Sequence, residues 1–176
     1  MARFDPKSFS RNEWGILGGV LVAFIGLFFN AFHARATFLG RSVGGSLLGW
    51  HFAGLWVPVL FLAIPAAALV VVRALRSDLI PTLPVGTRLI VGAALIGATL
   101  ITMIRGLTYP GDSFNGTGVD IGASIGTYLV CIAVAVATAF AILDFIQSGE
   151  KLPALPAKPA GATPASPPET PSAPDA

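Results

Sequence analysis

Residues 52–72 read FAGLWVPVLFLAIPAAALVVV and carry no charged side chain. At ~1.5 Å of rise per residue, a helix of that length matches a hydrocarbon core of roughly 30 Å. A helix apolar on every side belongs in lipid or a large protein core, and it satisfies its own backbone there. The run makes the chain an integral membrane protein.

Composition agrees. The chain is 54% hydrophobic and 11% charged, against about 25% charged in ordinary soluble domains. The net charge of +2 comes with no basic stripe interleaved with aromatics, so no nucleic-acid partner is expected. Cys131 is alone, which rules out an intramolecular disulfide, and it sits in an apolar run as a small packing residue. Scarce lysine beside plentiful Ala, Gly, Val, Arg and Pro looks like a high-GC bacterial genome.

Further apolar runs bring the expected total to four spans, at about 14–32, 52–72, 88–104 and 122–146. Residues 1–13 form a polar N-terminal segment, and 14–146 the transmembrane domain. The first run also has features of a signal peptide, with Ala34-Arg35-Ala36 as an A-x-A-like site. It is longer than the usual h-region and ends in bulky Phe residues, so a retained anchor is expected. Residues 147–176 are rich in Pro and Ala, cannot bury a core, and are expected to form a disordered tail. The expected fold class is all-α, a polytopic four-helix membrane protein. Residues 33–51 and 106–121 are expected as Gly-rich connections.

Orientation follows from the basic residues. Arg3, Lys7, Arg11, Arg73, Arg76, Arg88, Lys151 and Lys158 fall on one side, and Arg35, Arg41 and Arg105 on the other. Both termini are therefore expected in the cytoplasm, with the protein in the bacterial inner membrane.

Five constellations are candidates for chemistry or recognition. Gly15 and Gly19, and Gly122 and Gly126, stand four apart, a spacing that puts small residues on one helix face for close packing. Pro58 and Pro65 remove two backbone donors from the second span, which predicts a bent helix that serves as a packing kink, a hinge or a binding notch. Asn30, Thr99, Thr102 and Asp144 are the candidates for a polar intramembrane path. Asp144 equally suits pairing with Arg73, Arg76 or Arg88. His33 and His51 flank the first connection and could serve a metal or haem only by facing one cavity. Asp112, Asn115 and Asp120 offer oxygens in the later loop, without the repeats a calcium site of that type needs. No nucleophile, zinc-protease or phosphate-loop motif occurs, so neither catalytic residues, nor a cofactor, nor a bound metal is expected.

In this layout the chain resembles the many small, uncharacterised four-helix membrane proteins of actinobacteria. The resemblance covers residues 14–146 and transfers no site residue. The leading expectation is a non-enzymatic membrane component that packs its helices against other membrane proteins or a second copy of itself, with the bilayer as its constant partner. A small transporter or channel subunit is the alternative, and a haem or redox subunit through His33 and His51 the poorer one.

Overall fold

The computed structural model describes residues 9–38, 41–75, 86–108 and 119–150. The order is α1 (Arg11–Gly26), β1 (Asn30–Phe38), β2 (Arg41–Leu48), a short 3-10 turn (Gly49–His51), α2 (Ala53–Leu75), α3 (Thr87–Thr108), β3 (Val119–Ala123) and α4 (Ile125–Ser148). Three of the helices, α2, α3 and α4, are long and apolar enough to cross a membrane. The first expected span, 14–32, is shorter than read: α1 has 16 residues, about 24 Å at 1.5 Å per residue.

The ends of α1 are set locally. Ser10 caps its N-terminus: the Glu13 amide donates to Ser10 Oγ at 3.2 Å, and the Ser10 amide donates to Glu13 Oε2 at 2.7 Å. This is a capping box. Phe9 and Trp14 add a hydrophobic staple across it, with ring centroids 5.5 Å apart. At the other end the chain turns at Leu27–Phe29 and enters β1, so residues 30–32 are strand where a helix was expected.

The all-α expectation is corrected by a three-stranded antiparallel sheet of order β2-β1-β3. Its physical reason is period-2 alternation. Phe32, Ala34 and Ala36 are apolar and alternate with His33 and Arg35, while β3 repeats the pattern with Val119, Ile121 and Ala123. Register aligns these sets: Phe32 faces Leu47 and Ala123, Ala34 faces Gly45 and Ile121, and Ala36 faces Val43 and Val119. The backbone groups of residues 30–38, 41–48 and 119–123 thus find partners in a sheet.

The helices run alternately up and down. α1 and α4 pack most intimately, with Gly15 under the ring of Phe140, Gly19 against Ala137 and the Ala133 carbonyl, and Gly26 against Val130. The core is built from Ile16, Val20, Ala23, Leu55, Val59, Val70, Leu95, Ala98, Val130 and Val134, joined at the sheet end by Leu27, Ala31 and Phe32. The disturbance expected from Pro58 and Pro65 takes the form of a π-helical turn, Val59–Ala63, lying between them. Proline offers no amide to the carbonyl four residues back, and a wider turn is one way a helix absorbs that.

The fourth span begins at Ile125, not at 122. Gly122 lies on β3 beneath the ring of His33, and only Gly126 is helical, so the two do not share a helix face. α4 runs to Ser148 and stops at Gly149, whose φ of +67° is the left-handed cap glycine tolerates. The remaining tail, the connection 76–85, and Asp112 and Asn115 lie outside the described residues.

Candidate functional site

Charge gathers at the end of the bundle opposite the sheet. Arg73, near the end of α2, donates through Nη2 to Glu13 Oε1 of α1 at 2.6 Å and to Asp144 Oδ2 of α4 at 3.0 Å. Arg88, at the start of α3, brings Nε to 3.0 Å from the same Asp144 oxygen. Two carboxylates and two guanidiniums thereby tie all four helices. Asn12 extends the tie by donating to Gln147 Oε1 at 2.8 Å. The Glu150 carboxylate, turned back by Gly149, sits against Gly86 beside the start of α3, where the helix dipole favours negative charge.

The groups are largely withdrawn from solvent: side-chain exposure is 9% for Glu13 and for Asp144, and 18% for Arg73. Glu13 stands just outside the apolar stretch of α1. Burial alone would raise its carboxyl, but hydrogen bonds from Arg73 and Ser10 outweigh that and hold it below the ordinary carboxylate value. Two cations and two anions balance here, which is what a buried cluster requires to avoid an uncompensated charge.

The candidates for a polar path do not line up along one. Asp144 belongs to the ion cluster, and Asn30 opens β1 at the far end, exposed, with its carbonyl against Gly126. Between these ends Thr99 donates to the Leu95 carbonyl at 2.9 Å and Thr102 to the Ala98 carbonyl at 2.6 Å. Thr99 also meets Thr138 at 2.7 Å across α3 and α4. Hydroxyls bonded back to their own helices serve packing and leave little to offer a passing ion. His33 and His51 line different clefts, of about 260 and 550 Å³, so they do not face one cavity.

Two features escaped the sequence reading. Glu13 had a legible signal in the spacing Ser10-x-x-Glu13, though not its pairing with Arg73. The other is β2, whose residues are exposed throughout. Val43 and Leu47 continue the apolar face of β1 yet are 72% and 55% exposed. β2 is an edge strand, and nothing among the described residues pairs with its outer side. No protein-family model, curated protein or solved structure matches the chain.

Proposed function

We propose that this chain is a non-enzymatic component of a bacterial inner membrane that works by engaging another membrane protein at its sheet end. The observation that carries the reading is the uncovered edge of β2 with Val43 and Leu47 exposed on it. Lipid accounts for apolar helix surfaces, but an unpaired strand edge invites pairing with another chain. The glycine faces contribute less than the sequence reading assigned them, because Gly15, Gly19 and Gly26 are consumed by packing inside the bundle. An apolar groove of about 300 Å³ beside them, with Gly18 open at its floor, leaves room for a partner helix.

In this reading α1 crosses the membrane as well, giving four spans. It runs beside α4 from the ion cluster to the sheet, and Leu21, Val22 and Ile25 are exposed along it. The bias of basic residues then places the ion cluster and both termini in the cytoplasm, and the sheet outside. A photo-crosslinking side chain at Ser46, compared with one at Gly18, tests the reading in cells. An adduct from Ser46 to another protein supports engagement through the strand edge. Absence of any adduct from either position, with a strictly monomeric protein in mild detergent, would remove it.

A further inference from the structure

A cleft of about 550 Å³ opens at the sheet end between the start of α2 and the end of α3. That size falls within the roughly 300–1,000 Å³ typical of ligand clefts. Its wall is apolar, made by Phe52, Val57, Pro58 and Ile101, and its polar rim is His51 and Arg105. Gly54 shapes it: a side chain there would collide with the Phe52 ring and with Cβ of Arg105, so glycine lets α3 bring Arg105 against α2.

Arg105 differs from the arginines at the opposite end. Arg73 and Arg88 are paired with carboxylates, whereas Arg105 has no acidic partner among the described residues. It stands three residues before α3 ends at Thr108, and His51 two residues before α2 begins at Ala53. Both therefore lie at the level where spanning helices leave the hydrocarbon and meet headgroups. Below them, Val57 and Ile101 carry the apolar wall toward Phe61, which is exposed on the outside of the bundle. We infer that this cleft is a binding site for one anionic glycerophospholipid, with its phosphate at Arg105 and His51 and an acyl chain along Val57 and Ile101. A cation over an apolar furrow is complementary to that amphiphile, and a zwitterionic lipid loses part of the match because its own ammonium opposes Arg105.

The test is the full-length protein in phosphatidylcholine nanodiscs, probed with spin-labelled phosphatidylglycerol and spin-labelled phosphatidylcholine. The immobilised fraction of the first is expected to exceed the second by about fivefold, which one cation near an anionic headgroup supplies. Arg105→Gln should bring the two lipids to parity, while Arg41→Gln, at an exposed arginine on the same end, should leave the preference intact. Val57→Trp, which narrows the cleft and keeps the cation, should displace both lipids. Soluble glycerol phosphate should not compete. Preference unchanged in Arg105→Gln, equal loss in Arg41→Gln, or full competition by glycerol phosphate would each overturn the assignment, the last by identifying a free-phosphate site.

Discussion

Arg73 holds two carboxylates from different helices, and its removal would strand Glu13 and leave Asp144 to Arg88 alone. Breaking a buried pair in this way costs about 3–5 kcal/mol, so Arg73→Met should lower the unfolding midpoint in detergent steeply, while Arg11→Met, at an exposed position, should hardly move it. Glu13 adds a pH dependence whose sign follows from its lowered folded pKa. Its stabilisation is complete above the ordinary carboxylate value of about 4.3 and is lost as pH falls through the lower folded value. The melting temperatures of the native chain and Glu13→Gln should therefore differ near neutrality and converge in acid; a gap that persists in acid would refute this. Asp144 was legible because an acid inside an apolar run demands a partner, and the candidate arginines were few. Its choice of Arg73 and Arg88 was not legible, because pairing across helices depends on how they order around the bundle, and nearly uniform apolar faces conceal that order.

α1 and α4 meet through small residues, and two neighbouring glycines on α1 distinguish packing from propensity. At Gly19 a new Cβ would lie 2.8 Å from Cβ of Ala137 and 2.9 Å from the Ala133 carbonyl oxygen, while at Gly18 it would meet nothing within 4 Å. Gly19→Val should cost about 1–3 kcal/mol through overpacking, and Gly18→Ala should be neutral or stabilising by up to ~1 kcal/mol through helix propensity. Thermal unfolding in one detergent reads both, and equal effects would mean that the helices do not meet there. The long helices were legible because length and the absence of charge suffice to mark them. The sheet was not, although Phe32, Ala34 and Ala36 alternate, because β2 carries Gly44 and Gly45 and little β-branching, and strands read weakly when glycine interrupts them. Gly122 misled for a related reason: spacing of four from Gly126 mimics a helix face across a strand-to-helix boundary.

The molecule has two unlike ends, a charge-stitched one and a β-structured one, and its orientation can be read directly. With Cys131→Ala as background, Ser46→Cys should react with a membrane-impermeant maleimide in intact cells and Arg11→Cys only after lysis. The reverse pattern would invert the proposed topology, and labelling of both in intact cells would exclude it. The central strand adds a consequence for biogenesis. β1 joins β2 through a hairpin, but its other edge waits for β3, so residue 34 finds residue 121 only after two intervening helices have been synthesised and inserted. Until then β1, the central strand of the finished sheet, stands at an edge. A product that stops short of β3 is left with the hairpin alone, and a two-stranded hairpin is marginal by itself in water, so the last strand to be made is the one that secures the first.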